Sequence, residues 1–184
     1  MNNRLFWNEA LRYGAILGVM MGVSHIIESY IFCSTEFGFN VSYALYVIEF
    51  IAVVVLFVML LYKFAKRHAA HYSETEGFAY SRALSFMLIV VMLAGVIVGV
   101  MHQLYIAAIG YDVYVEAYIQ RMAEMSQVLD SPENAETFGK FAETVREQPA
   151  PSMFESVFAS MNNYLILGGL LSLILAFKVK RLPR

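Results

Sequence analysis

The sequence predicts an all-α polytopic membrane protein, with four transmembrane helices and an external helical hairpin between the third and fourth. Three observations carry this. The chain of 184 residues is 59% hydrophobic and 15% charged, with a mean hydropathy of +0.58, more apolar than the roughly 45–50% of soluble domains. Four windows, at about 12–33, 42–64, 81–109 and 153–177, reach the roughly 20 residues that cross about 30 Å of hydrocarbon. Basic residues are unevenly divided: Arg4, Arg12, Lys63, Lys66, Arg67, Arg82, Lys178, Lys180, Arg181 and Arg184 fall on one side, against Arg121, Lys140 and Arg146 on the other. The positive-inside rule then places both termini and the 65–81 connection in the cytoplasm, as four crossings require. The whole chain, 1–184, reads as a single membrane domain in a bacterial inner membrane, with 112–151 as a periplasmic helical hairpin.

Residues 1–12 read as an interfacial lead-in with Phe6 and Trp7 at headgroup level. The first span is expected to stay in the chain, since its apolar stretch exceeds the 7–15 residues of a signal peptide and no small-x-small cleavage site follows. Ile31 and Phe32 stand where a lipoprotein signal needs small residues before Cys33, and with one cysteine no internal disulfide forms. Within this span Gly14, Gly18 and Gly22 repeat G-x-x-x-G, a face that lets another helix approach closely. Gly95 and Gly99 on the third span, and Gly168, Ser172 and Ala176 on the fourth, offer small faces to match, either within the chain or on a second copy.

The second span ends in A-K-R-H-A-A-H-Y-S-E-T-E-G. His68 and His71 are spaced to share a metal, but no further ligand is near in sequence, so the stretch is expected to be a solvated loop and no metal site is assigned. The third span, 81–109, would extend about 43 Å as one helix; its last turns are expected above the membrane, with a break at Gly110 and a helix start at Asp112. Beyond it, Val115, Tyr118, Ile119, Met122, Met125 and Leu129, then Phe138, Phe141, Ala142 and Val145, follow helical spacing. Ser131-Pro132-Glu133 separates the two as a helix start, and Ser152 with Glu155 forms a capping box that launches the fourth span. From Asp112 to Glu155 nine acids face three bases, so acidic lipid repels the hairpin and its apolar faces are expected to pack on each other or on a partner protein.

The stretches W-N-E-A-L-R-Y-G-A-I-L-G, G-F-A-Y-S-R-A-L and Y-I-A-A-I-G-Y-D-V-Y-V-E-A-Y, with the closing P-A-P-S-M-F-E and L-I-L-G-G-L-L-S-L-I-L-A-F-K-V-K-R, resemble the Bacteroidota membrane-protein family catalogued as domain of unknown function 4199. Members often carry proline where Val113 stands. The resemblance implies an inner-membrane protein without assigned chemistry, encoded near envelope glycosyltransferases, which are therefore an expected class of partner.

Polar residues recur at one depth. Glu28 lies about 8 Å below the outer surface with His25 a turn deeper, Glu49 lies about 10 Å down the second span, Asn162 and Asn163 sit at a similar level on the fourth, and His102 and Gln103 reach the outer part of the third. Ionisable groups in hydrocarbon cost about 2.5–3.5 kcal/mol each and normally turn inward to partners, which predicts a buried polar network of His25, Glu28, Glu49, His102, Gln103, Asn162 and Asn163. A two-imidazole, two-carboxylate metal site, a proton-coupled path and a hydrogen-bonded layer that sets helix register could all use these residues. The last is the simplest. No P-loop, dinucleotide glycine motif, G-x-S-x-G or H-E-x-x-H occurs, so no catalytic residue, cofactor or nucleic-acid partner is expected. The leading functional expectation is a non-enzymatic accessory or scaffold subunit, packing on another envelope protein or on itself through its glycine faces or its hairpin. The alternative is a small oligomeric proton-responsive transporter or channel.

Overall fold

The computed structural model describes residues 3–33, 38–128 and 132–182. Among these the chain is all-helical: α1 (Asn3–Cys33), α2 (Phe39–Ala69), α3 (Tyr80–Ile109), α4 (Tyr111–Val128), α5 (Pro132–Glu147) and α6 (Met153–Val179). α1, α2, α3 and α6 are long and apolar enough to cross a membrane, the four-span architecture that the sequence predicts. Alternating crossings make α2 and α6 parallel. Expectations for Leu129 and Ser131, and for the side chain of Met125, lie outside the described residues.

The helix ends have local causes. Gly110 takes φ +91°, a backbone that side-chained residues avoid, and so separates α3 from α4. Ser152 caps α6, its hydroxyl accepting from the Glu155 N–H while the Glu155 carboxylate accepts from the Ser152 N–H at 2.8 Å. From Asn3 on, the stretch expected as a lead-in belongs to α1: Ala10 and Tyr13 are buried, and Phe6 packs edge-on against Phe86 and His68.

α3 is the central element. One face carries α1, whose glycines lie against Leu93, Ala94, Ile97 and Met101; the opposite face carries α6, where Gly95 and Gly99 lie against Met161, Tyr164, Val157 and Ser160. Gly168 admits Val91 and the edge of the Phe57 ring, and the buried Ser172 hydroxyl donates to the Gly168 carbonyl at 2.6 Å. The glycine faces therefore do not meet each other. Each receives a larger side chain or the neighbour's backbone, and all are spent inside the chain, which removes them as a surface for a partner. The backbones of α1 and α6, on opposite sides of α3, stay apart.

α2 joins this three-helix layer chiefly along α1. From Phe57 to Ala69 it buries Phe57, Leu61, Phe64, Ala65, His68 and Ala69, whereas from Phe39 to Leu56 only Ser42 is buried. The main core, which includes Tyr13 stacked on Phe64 at 4.4 Å, thus fills the end of the bundle that bears the N-terminus. That end is closed by pairing of Phe78 with Arg181 through two backbone hydrogen bonds of 2.8 and 2.9 Å, and by the Arg181 guanidinium donating to the Ala69 carbonyl. The solvated loop expected around His68 and His71 is corrected here. α2 continues through His68, which is 1% exposed and stacks on Phe86 at 4.0 Å, while Glu9 of α1 holds His68 Nδ1 at 2.5 Å and His71 Nε2 at 2.9 Å.

The close approach of α3 to α6 predicts a graded response to added methyl groups. In Gly99→Ala the new carbon would lie 2.7 Å from Val157 Cα, which only backbone movement relieves, whereas in Gly169→Ala it meets Leu88 Cδ2 at 3.5 Å, an ordinary contact. Gly99→Ala is expected to cost about 1–3 kcal/mol and Gly169→Ala to be neutral or stabilising, as measured by denaturant unfolding in detergent micelles.

Candidate functional site

The end of the bundle opposite the core is where the polar residues gather. α1 presents Ser24, His25 and Glu28 on adjacent turns. The Ser24 hydroxyl donates to the Glu49 carboxylate of α2, so α2 is held to α1 by a polar contact where its apolar packing has ended. His25 Nδ1 lies 3.1 Å from Glu28 Oε2, and its ring stands 4.6 Å from that of His102 on α3. Tyr46, one turn before Glu49, stands near Glu28. A carboxylate in an apolar slab needs such donors, since an unpaired one is costly.

The seven residues expected in one network fall into distinct places. His25, Glu28 and His102 form one cluster, with Glu49 held beside it by Ser24. Gln103 belongs elsewhere: its amide donates to the Pro151 carbonyl at 3.2 Å and accepts from Ser156 at 2.8 Å, tying α3 to the start of α6. Asn163 lines a crevice with Glu28 and Glu49, and Asn162 is half-buried beside it on α6. Ser24 and Tyr46 were not expected in the set. Their signal was present, as polar residues one helical turn from Glu28 and Glu49 on the same faces.

The crevice has a volume of about 440 Å³ and lies between α1, α2 and α6. Glu28, Glu49 and Asn163 form its polar part, while its apolar wall includes Val54, Phe57, Leu167 and Leu171. No lysine, arginine or histidine lines it. Chemically it is an acidic head on an apolar slot, able to accept hydrogen bonds from a cation that carries an aliphatic chain. Among the described residues no three His, Cys, Asp or Glu side chains are placed to hold a metal.

α4 covers the His25–His102 cluster. Tyr114 stands beside Ser29 and sets its ring edge-on to His102 at 5.8 Å. Beyond that contact α4 packs on α5 through Val115, Ile119 and Ala142, and the exposed pair of Arg146 and Glu116 joins them at 2.7 Å. That pair holds the Glu116 carboxyl below its usual range and adds little stability in water.

The family model described as Protein of unknown function (DUF4199) matches residues 12–181, so the chain belongs to that family. No curated protein and no solved structure matches it.

Docking of α4 is sensitive to alkali through Tyr114. Burial, with smaller contributions from Cys33 and its tyrosine neighbours, pushes this phenol from 10.0 up to about 12. The docked form disfavours phenolate, so its stability is fully present below pH 10 and falls as pH rises toward about 12. A spin label at Gln120 should gain mobility across that interval, and Tyr114→Phe should abolish the transition; an unchanged transition would exclude Tyr114 as its source.

Proposed function

We propose that this member of the DUF4199 family is a non-enzymatic accessory protein of a bacterial inner membrane, whose working part is the crevice between α1, α2 and α6. In this reading both termini lie in the cytoplasm and the crevice opens sideways into the outer leaflet. There it holds an amphiphile by its cationic head, between Glu28 and Glu49, with the aliphatic part along Val54 and Leu167. The observation that carries the reading is a pair of membrane-level carboxylates lining an apolar slot with no basic residue of the chain in it. A carboxylate at that depth gains most from a desolvated ammonium, whose N–H groups can serve both acids at once. The orientation is supported by the gathering of basic residues at the end that carries the termini.

A protein partner, if an envelope glycosyltransferase is one, has the hairpin left to dock on, because the glycine faces are occupied within the chain. α5 contacts only α4 among the described helices, which leaves much of its surface open outside the bundle.

A second reading, proton-responsive transport by an oligomer, is favoured by one observation, the 4.6 Å approach of the His25 and His102 rings beside Glu28. Two imidazoles and a carboxylate within reach of one another inside a bundle are the kind of side-chain set that passes a proton along. Proton flux in proteoliposomes that disappears in Glu28→Gln would support it; absence of flux in the unaltered protein removes it.

The amphiphile reading is tested by titrating a long-chain alkylamine into the protein in non-ionic detergent and counting adducts by native mass spectrometry. Saturable binding is expected, lost on filling the slot (Val54→Trp or Leu167→Trp) and weakened by at least about tenfold in Glu28→Gln/Glu49→Gln, the loss of one charge-assisted contact of about 1.5–3 kcal/mol. Binding unaffected by all these changes would refute it.

A further inference from the structure

At the opposite end of the same two helices the charge is reversed. Where α2 and α6 finish, a cavity of about 520 Å³ is lined by Lys63, Lys66, Arg67, Lys178 and Arg181, with Tyr62, Ala69, Ala70 and Val179 as its apolar wall. No carboxylate lines it. Arg181 is partly committed, donating to the carbonyls of Ala69 and Tyr72. Lys63, Lys66, Arg67 and Lys178 make no ion pair with any carboxylate among the described residues. The acids nearby are engaged elsewhere: Glu9 binds His68 and His71, and Glu74 lines a separate cavity on the Leu182 side of Arg181.

Cations at a helix C-terminus commonly answer the helix dipole, and Lys66, Arg67 and Lys178 occupy last turns. That role does not account for the cluster. Lys63 lies a turn further in, and the Ala69 carbonyl already has the Arg181 guanidinium. Three cations of α2, Lys178 of α6 and Arg181 just beyond it share one cavity, and an anion held there relieves their mutual repulsion. The cavity sits where the apolar runs of both helices end, the level at which lipid phosphates lie. Its lining is apolar as well as basic, through Tyr62, Ala69, Ala70 and Val179, which suits the carbon skeleton of a lipid headgroup more than a free ion.

We infer that this cavity is a binding site for the headgroup of an anionic phospholipid from the leaflet on the basic side of the membrane. The phosphate diester is received by Lys63, Lys66 and Lys178, and Arg67 stands at the rim. The site is independent of the outer crevice, which takes the opposite charge at the other end of α2.

Native mass spectrometry of the full chain, released from mixed phosphatidylglycerol and phosphatidylcholine bilayers, tests it. Retained phosphatidylglycerol is expected in excess over phosphatidylcholine. Lys63→Gln/Lys66→Gln/Lys178→Gln should weaken retention by about fivefold per lysine, on the order of a hundredfold in all, and the corresponding triple change to arginine should preserve it, which separates lost charge from lost folding. Lys180→Gln is the control, since the Lys180 ammonium lies over the Phe177 ring at 4.7 Å and its removal should change nothing. Equal retention of both lipids, or retention untouched by the triple glutamine change, would overturn the proposal. Displacement of phosphatidylglycerol by millimolar inorganic phosphate would overturn it as well, assigning the site to a free anion.

Discussion

α3 stands closer to both of its neighbours than any residue larger than glycine would permit, and the rest of the molecule follows from that approach. In lipid no hydrophobic force draws helices together, so association depends on surface contact and on the few polar bonds available. Gly14, Gly18 and Gly22 let α1 settle against Leu93 and Ile97, while Gly95 and Gly99 bring α3 within contact of the α6 backbone. Both faces of α3 are then occupied. α2 has no glycine of its own and finds a place chiefly along α1, meeting α6 where Gly168 makes room for the Phe57 ring.

Both cavities arise from this unequal packing. Toward the hairpin end α2 is left with the Ser24–Glu49 contact and the Phe32–Tyr46 ring pair at 5.9 Å, and the acidic crevice lies between it, α1 and α6. Toward the termini, aromatic stacking and the Phe78–Arg181 pairing draw the helix ends together around a basic cavity. One helix pair thus bounds an anionic recess at one end and a cationic one at the other. The proposals for an amine-bearing amphiphile and an anionic lipid are two consequences of a single arrangement, each resting on the charge gathered in its own recess.

Much of this architecture was legible in the sequence, and what was not has a physical reason. Apolar runs of about 20 residues, Gly110 and the Ser152–Glu155 box announce themselves locally, because membrane crossing, positive φ and capping are properties of neighbouring residues. The small-residue stripes were also visible, but which helix each would accept was not: a glycine face specifies closeness and not the identity of its neighbour. His68 was read as loop because the polar run around it outweighed the helical spacing of Leu61, Phe64, Ala65 and His68, a pattern that does continue the buried face. Its partner Glu9 lies 59 residues away, on a segment read as an interfacial lead-in. For the candidate site, depth along each helix brought Glu28, Glu49 and Asn163 to one level, yet only the azimuth of each helix separates them from Gln103, which turns toward α6.

The crevice implies a wider gap between α2 and α6 at the hairpin end than below Phe57, and that gap can be measured without any ligand. Paired spin labels on the two parallel helices, Ile48 with Ala159 toward the hairpin end and Met59 with Leu170 below the Phe57–Gly168 contact, report their separation at two levels by electron–electron resonance in a Cys33→Ser background. A distinctly longer distance for the first pair than for the second is the predicted result. Equal distances, or a shorter first distance, would mean that α2 follows α6 along its whole length and would contradict the account.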